Sequence, residues 1–412
     1  MRSLLSAVLI FISLPGWASP WSFGEKLTVA ENLDRKVFQH IDATGRKSIA
    51  VAGQTLAVIW EDNRSGAPQI YLAFKNLSTQ KFSKNRQIST GRSAYAPQIL
   101  ALSDDLFLIG WEQDDAVWLR TASASQLGPA ISISEGKAAQ VALANVNDRN
   151  IVAAWSQQIG EFSQIVTATV KVNAKNRLTR TKKPQPIESK PPTNDQLYPD
   201  LIAGANGVTV AWEDRREGHT AILYSHAAID KSFAVPQALN EIVQKSEKYG
   251  RGNGVTRVAL AALGADEIGA TWMDKRGFQT GYDIYAAFSH DSGVHFGANE
   301  LVQDAFADQY SQWHPAIAGA SNPTRVVVAW DDDRDGSSSI WLAWKSGSDW
   351  SENISPPAAS DTDKQQTNPA ITLDNQGNLH LIWLEQDNEN APTRLMYALG
   401  RYSGKSQPAS LR

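Results

Sequence analysis

A tryptophan at the end of a short β-rich run recurs seven times along this 412-residue chain. Successive copies lie 51, 44, 57, 60, 58 and 53 residues apart, and the seven are Trp60, Trp111, Trp155, Trp212, Trp272, Trp330 and Trp383. The run before each is apolar, as in the three valines and one alanine before Trp330. Strand-rich repeats of roughly 40 to 50 residues are typical of propeller blades, so this repeat strongly limits the possible folds.

Each repeat carries signals for four strands. A short apolar strand precedes the tryptophan strand and is often opened by proline, as at Pro315. An aromatic-rich third strand follows, and the predicted fourth strands include residues 82–90, 233–240, 296–303 and 350–355. Helical periodicity is almost absent. Four-stranded units repeated around an axis predict an all-β fold, a seven-bladed β-propeller of four-stranded blades.

The two ends of the chain complement each other. Residues 21–27 resemble a fourth strand without the three that should precede it, and the seventh repeat ends near Tyr402 without a clear fourth strand. A solenoid is the alternative arrangement, but it does not explain this match. We therefore predict that the N-terminal strand completes the last blade, giving one propeller domain over 19–402 and a flexible tail over 403–412.

The N-terminus has the features of a bacterial signal peptide. Arg2 precedes an apolar run from Leu4 to Leu14, and Gly16 and Ala18 are small residues suited to a cleavage site. The run is too short for a membrane span, and its alternative is a buried first strand. We predict cleavage after residue 18 and export to the periplasm or the exterior.

Composition excludes several classes of partner and site. The chain has no cysteine, which excludes disulfides, thiolate metal sites and a lipid anchor on cysteine. Its net charge of −4 includes no large basic block, so nucleic acid and anionic membrane surfaces are poor partners. We expect a monomer.

The motif Trp-x-Asp-x-Arg follows four of the tryptophan strands. One interpretation is a ring of acids and guanidinium groups that binds carboxylates or sugar acids on one face. The other is an Asp–Arg brace inside each blade, which the fourfold recurrence favours. The motif residues are Asp62, Arg64, Asp214, Arg216, Asp274, Arg276, Asp332 and Arg334, and all of them except Asp62 are candidate binding residues.

The segment from Asp331 to Gly336 also matches the opening of a calcium loop. Asp331, Asp333 and Asp335 place carboxylates at alternate positions, as a hard cation requires. Leu342 occupies the twelfth position, where a bidentate acid is expected. We therefore predict no cofactor, with calcium as the alternative to a solvated hairpin loop.

Residues 289–296, Ser-His-Asp-Ser-Gly-Val-His-Phe, fit the Asp-box pattern Ser-x-Asp-x-Gly-x-x-aromatic. With the repeated tryptophan strands, the chain resembles the sialidase-like superfamily of Asp-box (BNR) repeat propellers. The resemblance implies a carboxylate-gripping arginine triad, a tyrosine nucleophile and an aspartate acid/base. The matching candidates in this chain are Arg46, Arg251, Arg257, Tyr397 and Asp62. Sialidase propellers have six blades, whereas seven repeats are counted here.

Aromatic residues and one histidine precede several of the inner strands. Tyr310, Trp313 and His314 lie before or at the start of the sixth inner strand, and Tyr95 and Tyr198 precede others. They are predicted either to form a ligand-binding rim over the central channel or to plug it. The leading hypothesis is recognition of a glycan or another envelope component. The alternatives are a sialidase-like glycoside hydrolase and a protein-interaction scaffold.

Overall fold

The computed structural model describes residues 19–31, 34, 36–147, 149–241, 254–276, 281–307, 309–321, 324–345, 347–361 and 363–403. The predicted signal peptide, Arg251 and nearly all of the predicted tail lie outside these residues. Within them, seven sheets surround one axis, which confirms the predicted seven-bladed β-propeller. No helix in the described part of the chain is long and apolar enough to cross a lipid bilayer.

The blades follow one another in chain order, each built from antiparallel neighbours. Blade 1 contains Gln39–His40, Ile49–Ala52, Thr55–Asp62, Gln69–Asn76 and Arg86–Gln87. Blade 2 contains Ala94–Ser103, Leu106–Gln113, Ala116–Ala122 and Ile131–Ser132. Blade 3 contains Ala138–Asn147, Asn150–Ile159, Phe162–Val172, Leu178–Arg180 and Gln185–Pro186. Blade 4 contains Gln196–Gly204, Gly207–Asp214, Ala221–Ala228 and Gln237–Ala238. Blade 5 contains Val255–Ala262, Ile268–Asp274, Asp283–Ser289 and Glu300–Leu301.

Blades 6 and 7 complete the ring. Blade 6 contains Gln312–Ser321, Thr324–Asp332 and Ser339–Lys345. Blade 7 contains Gln365–Leu373, Leu379–Gln386 and Arg394–Tyr402, and the N-terminal strands Trp21–Phe23 and Leu27–Glu31 pair with the last of these. Short 3-10 turns lie at Thr44–Arg46, Ala305–Ala307 and Pro357–Ala359. We call the face at which the inner strands begin and the tryptophan strands end the upper face, and the opposite face the lower face.

The N-terminal segment closes the ring as predicted. Trp21–Phe23 pairs antiparallel with the last strand of blade 7, at residues 400–402. The Trp21 indole N–H donates to the Gly377 carbonyl at 2.9 Å, and its ring packs edge-on against Trp344 of blade 6. The first residues of the domain thereby hold the last blade to its neighbours.

The outer strands are shorter than the sequence predicts. Those of blades 1, 4 and 5 contain two residues each, and blade 6 has only the bridges of Leu342 with Ile354 and Lys345 with Trp350 beyond its third strand. An outer strand has a partner on one side only, and a short edge also limits pairing with other chains. Polar loops occupy the rest of the predicted segments.

The seven tryptophans explain why the repeat forms this fold. All are 0–1% exposed and lie in the apolar clusters packed between consecutive blades. Such large side chains contribute about 1.5–3 kcal/mol or more each when fully buried. Burial between blades, rather than inside one sheet, makes each blade depend on the next.

The Asp-box segment forms a tight turn on the lower face, between the third and outer strands of blade 5. Ser289 Oγ donates to Asp291 Oδ1 at 2.8 Å and accepts from the Gly293 N–H at the same distance. The His295 N–H also donates to Asp291 Oδ1, and the Phe296 ring packs edge-on against Tyr224 of blade 4. The segment therefore stabilises a turn and contacts the neighbouring blade.

The Thr44–Arg46 turn lies on the propeller axis, where it contacts the inner strands of all six other blades. Thr44 Oγ1 donates to the Val141 carbonyl, and the Lys47 ammonium binds Asp200 Oδ1 at 2.7 Å. Gly45 has φ of +60°, and a Cβ there would lie 2.4 Å from the Asp200 carboxylate. Only glycine fits this contact, so the turn fills the channel below the upper face.

Candidate functional site

A ring of strained backbone surrounds the channel mouth on the upper face. In every blade, one non-glycine residue at the start of the inner strand has a left-handed backbone with φ between +46° and +62°. In blades 2 to 7 the residue lies at a register shift between the inner and second strands. The seven are Arg46, Ala96, Gln140, Tyr198, Arg257, His314 and Asn368.

Left-handed non-glycine residues cost of order 1 kcal/mol each and cluster at functional sites. Bulges next to active sites also re-aim side chains. Six of these seven residues are polar or aromatic, and six of the seven lie at the upper ends of the inner strands, around the axial turn that contains Arg46. We define the mouth site as these residues together with the groups that contact them.

Four acids brace the ring. Each directly follows a tryptophan and accepts the backbone N–H of the left-handed residue in the next blade. Glu112 accepts from Gln140 at 2.6 Å, Glu213 from Arg257 at 2.9 Å and Asp331 from Asn368 at 2.9 Å. Glu61 accepts from Ala96 in the same way. The carboxyl groups thereby fix the strained turns and lie around the mouth.

Burial shifts the ionisation of these acids. It raises the pKa of Glu61 to about 7, an effect that the Ala96 N–H opposes and the charges of Glu112 and Asp42 increase. Burial also raises the pKa values of Glu112 and Glu213 above their ordinary range. Near neutral pH the mouth therefore contains a carboxyl group that can either donate or accept a hydrogen bond.

Two arginines converge on one carboxylate at the axis. Asp42 accepts from Arg46 Nη2 at 3.2 Å and from Arg257 Nη2 at 3.4 Å. Although burial acts in the opposite direction, the charges of Arg46 and Arg257 lower the pKa of Asp42. The Arg257 guanidinium also stacks on the Tyr198 ring at 3.9 Å.

The Arg46 side chain is only 4% exposed. Within the described residues, its Nε and Nη1 atoms are buried and have no hydrogen-bond partner. Buried polar groups are rarely left unpaired in native proteins. These two nitrogens lack a protein acceptor in the described part of the chain, although they are shielded from solvent.

His314 is oriented by a buried acid. Its Nδ1 lies 2.8 Å from Asp331 Oδ1, and since a carboxylate only accepts, Nδ1 donates. The Asp331 side chain is 3% exposed and that of His314 is 30% exposed. The other ring nitrogen, Nε2, is left for interactions at the mouth. Trp313 packs against Tyr282, and Tyr310 lies on the rim at 42% exposure.

The Trp-x-Asp-x-Arg residues lie outside the mouth site and form braces within the blades. Each aspartate is 0–2% exposed and accepts from the tryptophan indole and from its own arginine. The arginine–aspartate contacts are Asp62 with Arg64, Asp214 with Arg216, Asp274 with Arg276 and Asp332 with Arg334. The last three arginines also bind acids in the connection from the preceding blade: Glu188, Glu241 and Asp304.

A brace variant tests this assignment. Asp332→Ala leaves the Arg334 guanidinium and the Trp330 indole without their buried acceptor, so we expect the free energy of unfolding to fall by about 2–3 kcal/mol. Chemical denaturation measures this loss, with the exposed neighbour Asp333→Ala as the control. Ligand binding by folded protein should be unchanged. A binding defect in a normally stable Asp332→Ala variant would contradict the structural role.

The remaining candidates do not meet at the mouth. Tyr397 is 1% exposed in the core between blades 7 and 1, where its hydroxyl lies 2.9 Å from His380 Nδ1. Asp333 and Asp335 are exposed, whereas Asp331 is bound to His314. Among the described residues, no three acidic or histidine side chains are grouped closely enough to hold a metal ion.

Comparison with known proteins gives similarity of fold. No protein-family model matches the chain, and no curated protein matches it. A solved protein of unknown function from Dyadobacter fermentans is 11% identical, with 94% of this chain and 100% of that chain covered and a TM-score of 0.56. The polysaccharide lyase Uly1 is 9% identical, with 88% and 91% covered and a TM-score of 0.54.

A puromycin-hydrolysing peptidase from Mycobacterium tuberculosis is 9% identical, with 94% of this chain and 57% of that chain covered and a TM-score of 0.50. Identities this low show similarity of fold alone, because one fold serves many functions. Membership of the sialidase-like superfamily therefore stays a prediction.

Proposed function

We propose that this protein binds a glycan at the mouth of its central channel. The observation that carries the proposal is the ring of left-handed residues, which presents polar and aromatic side chains at the mouth, the Arg46 and Arg257 guanidinium groups among them. Sugars are bound by convergent polar groups and aromatic faces in concave sites. A polysaccharide lyase with a similar fold is an analogy that supports this ligand class.

The predicted signal peptide places the ligand in the periplasm or outside the cell. A glycan of the cell envelope then fits both the compartment and the site. An envelope protein is the alternative partner. Glycan arrays and pull-down from envelope fractions distinguish the two, since only the first gives binding to purified sugars.

Variants of the mouth site test the proposal. We expect Arg257→Ala and His314→Ala each to weaken glycan binding by about tenfold or more, because each removes a donor that an acid orients, Asp42 for Arg257 and Asp331 for His314. The matched control is His290→Ala, whose side chain is 78% exposed on the lower face. Binding is measured by calorimetry with hits from a glycan array. Equal affinity of all three variants and the parent would place the binding site elsewhere.

A glycoside hydrolase is the second candidate function. It is supported by Glu61, whose pKa of about 7 keeps a proton available, and by the ionised Asp42 beside it. A proton donor and a carboxylate are the two groups that glycoside hydrolysis needs. A sialidase mechanism has less support, since Tyr397 lies in the core, away from Arg46 and Arg257.

Hydrolysis is tested with fluorogenic glycosides, a sialoside among them. Turnover that falls at least a hundredfold in Glu61→Gln would establish the enzyme. Turnover that is insensitive to Glu61→Gln would contradict the assignment of Glu61 as the proton donor. Retained binding without turnover would support glycan recognition without hydrolysis.

A further inference from the structure

A cavity lies beside the mouth site and shares residues with it. An open cleft of about 630 Å³ lies on the upper face between blades 2, 3 and 4. Resting on the proposed glycan function, we propose that the mouth and this cleft together bind several consecutive units of an extended, uncharged polysaccharide chain. The protein then recognises an internal segment of a polymer rather than a single terminal sugar.

Shared residues join the mouth site to this cleft. Glu112 and Gln140 line the cleft, and both belong to the mouth site. The Gln140 side-chain carbonyl accepts the Tyr198 N–H at 2.7 Å, and Arg257 stacks on the Tyr198 ring and reaches Asp42. A continuous series of contacting residues, all of them polar or aromatic, therefore leads from the axis to the cleft at blade 2.

The cleft offers the contacts that successive sugar rings require. Its volume lies within the range of small-molecule pockets and corresponds to roughly two or three sugar rings. Tyr95, 42% exposed, lines it and presents an aromatic face on which a sugar ring can stack. The Gln158 amide and the Ser163 hydroxyl also line the cleft and can form hydrogen bonds with sugar hydroxyls.

The charge pattern selects against acidic glycans. Around the mouth, the guanidinium groups of Arg46 and Arg257 lie near the carboxyl groups of Asp42 and Asp331, and burial raises the pKa values of three further carboxyl groups, those of Glu61, Glu112 and Glu213. In the cleft, Asp114 and Asp115 are balanced by Arg92 and Lys137. The face therefore has no excess of positive charge that would attract polyanions. Uronate-rich and sulfated chains are therefore disfavoured, and neutral chains are the ligand class.

Length dependence tests the inference. Purified protein is titrated by calorimetry with xylan, mannan and β-glucan oligosaccharides of two and six units, and with a hexamer of galacturonate. We expect a neutral hexamer to bind at least tenfold more tightly than its dimer, and the galacturonate hexamer to bind more weakly. Tyr95→Ala should cost about tenfold in affinity for the neutral hexamer and leave dimer binding unchanged. His290→Ala on the lower face is the control.

The outcomes separate this inference from the function on which it rests. Equal affinities for dimer and hexamer, or a hexamer affinity insensitive to Tyr95→Ala, would overturn the extended site while leaving glycan recognition intact. Tighter binding of the galacturonate hexamer would overturn the neutral class. Failure of every glycan to bind would contradict the proposed function and the inference together. Because the comparison of lengths uses the parent protein, it does not depend on the folding of a variant.

Discussion

Replacing Lys47 by methionine is expected to lower the free energy of unfolding by about 3 kcal/mol. Lys47 extends across the axis from blade 1 to blade 4, where its ammonium binds Asp200 Oδ1 at 2.7 Å and the Leu201 carbonyl at 2.9 Å. Asp200 is 0% exposed. Removing the cation leaves a buried carboxylate without its counterion, and breaking such a pair typically costs about 3–5 kcal/mol. The lower end applies because Lys47 itself is 21% exposed.

Urea denaturation of the purified protein measures this loss. Lys81→Met on an exposed lower loop is the control and should change stability by less than about 0.5 kcal/mol. The double variant Lys47→Met with Asp200→Asn should recover part of the loss, because the neutral amide needs no counterion. A double variant no more stable than Lys47→Met would show that lost packing, rather than charge, causes the effect.

The blade count and the closure of the ring could be predicted from sequence because each depends on large apolar side chains. The seven tryptophans fill the spaces between blades, so their number equals the number of blades. Trp21 supplies the strand that blade 7 lacks. The outer strands were overestimated, since aromatic residues such as Phe82 and Phe296 pack inward from loops that are not strands.

The mouth site could be predicted only in part. Arg46, Arg257 and His314 were selected because they begin inner strands, and the structure gathers them around Asp42 and Asp331. Asp42, Glu61, Glu112 and Glu213 were missed as site residues. Side chains alternate along a strand, so the acid directly after a tryptophan has a different environment from the brace acid one position later. That acid recurs in four blades, which is the signal that was available.

The left-handed ring was also missed, because arginine and tyrosine carry little preference for positive φ. Its backbone is imposed by tertiary contacts, chiefly the carboxyl groups of the preceding blade. Four of the seven ring residues precede a proline, namely Ala96, Tyr198, His314 and Asn368. A residue before proline avoids the right-handed helical region, so this spacing indicated unusual backbone without specifying its form.

Glu61 is expected to lower the stability of the protein as the pH rises from about 4.5 to 7. Burial raises the pKa of its carboxyl group from 4.5 to about 7. Between these values the folded protein keeps the proton that the unfolded chain has lost, so folded protein binds more protons and rising pH favours unfolding. Below 4.5 both states are protonated, and above 7 the destabilisation is complete. The shift corresponds to about 2 kcal/mol after allowance for solvent screening.

Urea midpoints at pH 4.5, 6 and 8 measure this dependence. Glu61→Gln should remove about 2 kcal/mol of the decline, because a neutral amide keeps the shape of the protonated side chain without titrating. Glu25→Gln, at an exposed carboxyl group, should leave the decline as in the parent. Glu112 and Glu213, whose pKa values burial also raises, contribute a decline of the same sign, whereas His40 and His226, whose pKa values burial lowers, contribute the opposite sign. An unchanged pH dependence in Glu61→Gln would show that the proton taken up near neutrality is held elsewhere.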